Sequence, residues 1–369
     1  MRHRLSGTAE SITAERAGAQ EITVRPNEGG ALRSALNLID LTGRVEVGDT
    51  ILLNTVAVEM GLGTGGLDFV LSVTPSRLTD SEPVGHILKL RYTPFQHPVL
   101  ATEAPESPHH TTLNRFQTLD SLPVVCIELH SQLGAVCSGI RWATHAHNHT
   151  YSPRVAYIMT DSSALPLALS RLVPALKEQG LLHTTITAGH AFGGDYEAVN
   201  LYSALAIAKE VAHADIVIVG QGPGNVGTGT SLGFSGLEQG LAVNAAASLG
   251  GVPIFTPRIS FSDSRRRHKG LSHHTFTTLR SVVRASAWIP IPRLSVEQLT
   301  QVYTVLEEIE MGDDLQPIVV DADQSLGELE PIRAYVTTMG RDLEEDKAFF
   351  LTASASGILA VQLLEVRHA

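Results

Sequence analysis

Downstream of Leu122 the chain repeats one pattern: a short run of branched residues, a loop, then about 12–16 residues able to form a helix. The runs are Pro123-Val-Val-Cys-Ile-Glu-Leu, Arg154-Val-Ala-Tyr-Ile-Met, His183-Thr-Thr-Ile-Thr-Ala, Asp215-Ile-Val-Ile-Val-Gly and Val252-Pro-Ile-Phe-Thr. Parallel strands need crossovers of this length, and the crossovers cover both sheet faces. The pattern therefore predicts an α/β fold with a doubly wound, mostly parallel sheet. Pro166–Gln179 reads as one of its helices, with Leu167, Ala168, Leu172, Val173 and Leu176 at helical spacing and Gly180 as terminator. Ser295–Met311 reads as another, Pro317-Ile-Val-Val-Asp as a short strand, and Asp346–Leu364 as a C-terminal helix. In that last helix Ala353, Ala355, Gly357 and Ala360 allow close packing.

The first part of the chain has a different rhythm. From Gly7 to about Val73, short alternating runs are broken by Pro26-Asn-Glu-Gly-Gly, Val47-Gly-Asp and Gly61-Leu-Gly-Thr-Gly-Gly. No convincing helix follows the last glycine run, so it reads as a turn of a small barrel and not as a dinucleotide fingerprint. His86–Pro94 looks like a further strand. A chain of 369 residues exceeds the usual size of one core. The expected division is 1–97 as a small N-terminal β-barrel-like domain, 98–121 as a polar connection bearing Pro98, Pro105 and Pro108, and 122–369 as the α/β domain.

Charge narrows the partners. The formal net charge is -11, and no long basic run occurs, which disfavours general nucleic-acid binding and anionic membrane surfaces. No signal core follows Met1, and no stretch of about 18 apolar residues stands out as a membrane span. Cys126 and Cys137 have no metal or redox spacing and read as buried thiols in a reducing compartment. The cytoplasm is the expected location.

Ligands of doubly wound sheets bind beyond the carboxyl ends of the strands, and that is where unusual residues collect. The ends read Glu128-Leu-His130-Ser-Gln132, then Thr160-Asp161-Ser162-Ser163, then Gly189-His190-Ala-Phe-Gly-Gly-Asp195. The fourth run ends in Gly220–Gly229. The fifth leads to Asp263, Arg265, Arg266, Arg267, His268, Ser272, His273 and His274. Glycine loops can turn backbone N–H groups toward an anion, so Gly222, Gly224, Gly227 and Gly229, with Thr228 and Thr230, are candidate ligands. Asp161, Ser162, Arg267 and His268 would complete the anion site. The loop lacks the P-loop lysine and the Rossmann spacing.

Histidine serves proton transfer and metal binding equally well. His190, Asp195 and His273 are candidate acid–base residues, and His190, Asp195, His273 and His274 are a candidate set for a divalent metal. His145, His147 and His149 would share one face if extended, in a segment that reads as a surface loop. The His190 group requires that residues far apart in sequence meet in one cleft.

The chain also resembles an uncharacterised bacterial family, domain of unknown function 3866. The resemblance rests on Lys89-Leu-Arg-Tyr-Thr-Pro, Ser107-Pro-His-His, Glu128-Leu-His-Ser-Gln, Gly189-His-Ala-Phe-Gly-Gly-Asp and Gly222-Pro-Gly. It continues in Gly227-Thr-Gly-Thr, Gly233-Phe-Ser-Gly, Ser272-His-His-Thr and Met339-Gly-Arg. The Thr144–Pro153 stretch is longer than the family pattern. The resemblance implies no activity, cofactor or catalytic residue.

The residues alone point to an enzyme acting on a small anionic metabolite, with phosphorylated ones included. The alternative is a non-catalytic anion or nucleotide sensor whose barrel contacts a protein or RNA. A structural assembly factor is a third reading.

Overall fold

Strand β1 (Arg4–Arg16) is long enough to serve two partners. Its first half pairs antiparallel with β4 (Thr50–Asn54) and its second half with β2 (Ala19–Pro26), across irregularities near Glu10 and Thr13. With β3 (Arg33–Leu38) and β5 (Asp68–Thr74) the strands close a barrel in the order β1-β2-β3-β5-β4, in which β3 and β5 run parallel. Short helices α1 (Ile39–Thr42) and α2 (Val56–Glu59) lie in the connections. Inward residues Ala9, Ile22, Val24, Ala35, Ile51, Leu53 and Val70 fill the barrel, as the period-two pattern requires. Of the segment expected as one further strand, only β6 (Ile87–Lys89) is a strand, and it pairs antiparallel with β7 (His97–Val99), which follows that segment.

The computed structural model describes residues 3–63, 65–78, 84–146, 152–309 and 314–368. They divide into two compact units, Met1–Val99 and Leu100–Ala369. The second unit contains α3 (His110–Asn114), β8 (Pro123–Cys126), α4 (Leu133–Ala146), β9 (Val155–Thr160), α5 (Leu172–Glu178), β10 (Thr184–Ala188), β11 (Tyr196–Ala198), α6 (Leu201–Glu210) and β12 (Ile216–Gln221). It continues with α7 (Glu238–Ser248), β13 (Val252–Phe255), β14 (Ile259–Ser260), β15 (Gly270–Leu271), α8 (His273–Ser281), β16 (Ala287–Pro292), α9 (Val296–Glu307), β17 (Leu315–Val320) and α10 (Lys347–His368).

Eight strands form one parallel sheet in the order β11-β10-β9-β12-β8-β13-β16-β17. The chain starts at the centre with β8, moves outward through β9 to β11, returns through β12, and leaves by the other side from β13. Side chains alternate between two cores. Val125, Ile127, Tyr157 and Ile218 pack with α4 and α10, while Val124, Ile158, Val217 and Phe255 pack with residues of α6, α7, α8 and α9. The fold class read from the sequence is therefore the observed one, with three layers and a small barrel ahead of them.

Local differences have physical causes. Pro166–Gln179 is not one helix: a 3-10 turn over Leu167–Leu169 precedes α5. Strand β16 carries Pro290 and Pro292, residues that normally argue against a strand with neighbours on both sides. Strand β11 has only three residues. Of the stretch read as a connection, Pro98 and Val99 belong to the first unit and the rest to the second, where Leu119 is buried and Thr102 N donates to Glu197 O at 2.8 Å. Helix α10 is long and apolar enough to cross a bilayer, yet most of it is buried. It packs against α4 so closely that a Cβ on Gly357 would lie 2.1 Å from Val136 O. Cys126 and Cys137 are free and buried, and burial pushes both thiols above their ordinary range.

Candidate functional site

Direction of winding changes around β8, between β12 and β13, the position at which doubly wound sheets open a ligand crevice. Glu128 follows β8 and is almost fully buried. Gln132 fixes this turn, since its side-chain oxygen accepts from the N–H groups of both Glu128 and Leu129 at 2.9 Å. On the other side, β14 and β15 form a small hairpin that brings Arg258 beside Ser272. Ser272 caps α8, accepting from His274 N, and its hydroxyl also lies 2.8 Å from His268 Nδ1. One serine therefore orients two histidines.

These elements bring three imidazoles together. Among the described residues, His268, His273 and His274 each offer one ligand atom within 4.8 Å of the others. Their rings are 4.4–4.8 Å apart between centroids. His274 Nδ1 lies 2.6 Å from Glu128 Oε1, and Phe234 stacks on the opposite face of its ring at 3.8 Å. His273 Nε2 is buried without a hydrogen-bond partner. A carboxylate on one imidazole nitrogen leaves the other free for a ligand and holds the ring, the arrangement found behind metal-bound histidines. A tetrahedral shell with bonds near 2.1 Å has donor spacings of about 3.4 Å, so the cluster, whose donors lie within 4.8 Å of one another, would close by up to about 1.4 Å to hold a metal.

Electrostatics keep the rings of His268 and His273 neutral. Burial, then the charges of Arg258 and Arg265, push His268 down to about 3. Burial, then His274 and Arg267, push His273 down to about 4. For Glu128 burial acts upward, but the His274 hydrogen bond, Arg258 and Asn225 together hold it below the usual carboxylate range. Arg258 approaches Glu128 at 3.6 Å and Asp263 at 3.3 Å. Asp263 also pairs with Arg265 at 2.8 Å and Arg341 at 3.6 Å. Neutral imidazoles are metal ligands at neutral pH.

The other candidates lie elsewhere. His190 follows β10, which is four strands from β13. At about 4.8 Å per strand that is roughly 19 Å across the sheet, so His190 does not join His273 and His274. Its N–H donates to Asp161 Oδ2 at 2.8 Å. Asp195 is bound on the same side, pairing with Lys177 Nζ at 2.7 Å and accepting from Thr185 N at 2.8 Å. It is a structural clamp, separate from the histidine cluster. His130, between Tyr157 and Ser170, is likewise internal, and burial pushes it down to about 4. His145 faces Glu328 at 3.3 Å, while His147 and His149 lie outside the described residues.

The glycine-rich loop closes on itself. Thr228 N and Oγ1 both donate to Gly233 O, Thr230 Oγ1 lies 3.0 Å from Thr228 Oγ1, and Gly227 bridges Phe234. Gly222 is buried, and a Cβ there would lie 2.4 Å from Ala164 O, so no side chain fits. Gly224 and Gly229 have positive φ, so they shape turns. Ser163 Oγ donates to Gly224 O, and burial, against the Thr160 and Ser162 hydrogen bonds, raises Glu238 above the usual range in the first turn of α7. Arg266, Arg267 and Lys269 remain exposed beside His268. Asn225, Phe234 and Arg258 were not among the sequence candidates, and Glu128 and Ser272, though seen at strand ends, were given no role there. The signal for Glu128 was available: a lone acid directly after the first α/β strand.

Comparison with known proteins adds one match. A family model described as a protein of unknown function (DUF3866) matches residues 34–357. No curated protein matches the chain.

Proposed function

The chain belongs to the DUF3866 family, and we propose that it is an enzyme whose His268, His273 and His274 hold a divalent transition metal that acts on a small anionic substrate. The observation that carries this reading is the three-imidazole cluster backed by the Glu128–His274 hydrogen bond. All-nitrogen donors favour zinc and its neighbours over magnesium or calcium. Such a metal supplies Lewis-acid activation of a bound oxygen at neutral pH. Glu128 orients His274, Ser272 orients His268, and Phe234 restricts the His274 ring.

An anionic substrate fits the surroundings. The amino end of α8, where His273 and His274 sit, carries partial positive charge. Arg266, Arg267 and Lys269 are exposed nearby and can meet phosphate or carboxylate oxygens. The reaction class that matches three imidazole ligands and adjacent cations is hydrolysis of an anionic ester or amide.

Metal analysis of protein purified without chelators tests this directly. Close to one equivalent of zinc, cobalt, nickel or manganese is expected, lost in His273→Ala. Turnover of a panel of anionic esters and amides, before and after chelation, separates an enzyme from a sensor. Wild-type protein that binds none of these metals in titration calorimetry overturns the reading.

A further inference from the structure

At the ends of β8 and β12 lies a cavity of about 10 Å³ lined by Glu128, Gln221, Glu238 and Gln239, among others. That volume corresponds to about one water-sized sphere. Three of its lining side chains carry an acceptor oxygen that is buried and has no donor: Glu128 Oε2, Gln221 Oε1 and Gln239 Oε1. The three residues are 1%, 3% and 3% exposed. Native proteins rarely leave one buried acceptor unmatched, and here three belong to side chains that line one cavity.

The amide orientations follow from their other bonds. Gln239 Nε2 donates to Cys126 O at 2.8 Å and Thr256 O at 2.7 Å, and Gln221 Nε2 donates to Glu128 O at 2.8 Å. Reversing either amide would set oxygen against carbonyl oxygen. For Glu128, both Asn225 and His274 address Oε1, which leaves Oε2. Glu238 adds a carboxylate whose partners are the hydroxyls of Thr160 and Ser162. Among the described residues no cationic side chain pairs with it.

One water donates only two hydrogen bonds, so it cannot serve three acceptors and a neighbouring carboxylate. A cation attracts all of them at once. A magnesium ion would demand near-ideal octahedral oxygen geometry, whereas potassium and ammonium match a water-sized space and accept irregular oxygen shells. We propose that this cavity binds a monovalent cation of that size, potassium or ammonium, held by Glu128, Gln221, Glu238 and Gln239. Bound there, it joins the ends of β8 and β12 to the start of α7 and sets the charge behind Glu128. The site stands independently of a metal on the histidines.

Melting temperatures of chelator-treated protein in chlorides of potassium, ammonium, sodium and tetramethylammonium, at matched ionic strength, test this without any activity assay. Potassium or ammonium should raise the midpoint by about 2 °C or more over tetramethylammonium. The comparison of the two salts decides which is preferred, and a rubidium anomalous peak in the cavity of a soaked crystal is the expected direct sign of the ion. Glu238→Gln should abolish the preference. Gln221→Met, which removes one acceptor at similar volume, serves in its place should that variant not fold. Equal midpoints in all four salts overturn the proposal, as do a preference for sodium alone and a preference that survives both substitutions.

Discussion

Glu128 and His274 lie 146 positions apart in sequence and meet at 2.6 Å, which ties the turn after β8 to the first turn of α8. Glu128→Gln retains the shape but loses the charge that holds the ring. Metal affinity measured by calorimetry should fall about 10–100-fold, the usual result of removing a partner behind a ligand. Arg258 keeps Asp263 as a partner, so circular dichroism should still report a folded protein.

The contact between α4 and α10 leaves no space for a side chain. A Cβ at Gly139 would stand 2.0 Å from Ser354 O, and one at Gly357 would stand 2.1 Å from Val136 O. Both obstacles are backbone atoms, so no rotamer change relieves them. Gly139→Val or Gly357→Val should each cost about 3 kcal/mol or more. Urea unfolding followed by far-ultraviolet circular dichroism checks this.

How much of this was legible depends on distance along the chain. Layer architecture follows from local periodicity, so the five runs from Pro123 to Thr256 all appear as parallel neighbours. Strand order is not local. His190 and His273 both follow strands, but β9, β12 and β8 separate β10 from β13, and nothing near either histidine encodes that. The glycine loop is only partly legible for a related reason: composition shows that a turn can present N–H groups, not where they point. Thr228 N points to Gly233 O. Glu128 was visible as an acid at a strand end, but its importance rests on β8 being central.

This separation gives a clean contrast between the candidates. Asp195→Asn weakens the half-exposed pair with Lys177 and should lower stability by only about 1 kcal/mol. It should leave metal stoichiometry unchanged, as should His190→Ala. His268→Ala should reduce metal affinity while the melting midpoint of the chelator-treated protein changes far less. Metal loss in Asp195→Asn without unfolding would contradict the geometry described for the cluster.

Acid should destabilise the cluster in a defined window. His268 and His273 are held down to about 3 and about 4 in the folded protein, against an ordinary value of about 6.5 in an unfolded chain. Above about pH 6.5 the rings are neutral in both states, and their contribution is fully present. As pH falls below that value, the unfolded chain takes up protons that the folded protein refuses, so stability declines. The decline continues until the folded rings protonate near pH 4 and pH 3. The slope of unfolding free energy against pH, measured by urea titration between about pH 6.5 and 4.5, should become shallower in His268→Gln than in the wild type. Metal affinity follows the same logic. Because His268 and His273 are already neutral when folded, neither should add pH dependence to the affinity between about pH 7 and about pH 5. The imidazole proton shifts of these two rings, followed by nuclear magnetic resonance in the metal-free protein, check this: a titration of either ring with a midpoint near 6.5 would contradict the buried, cation-flanked setting that keeps them neutral.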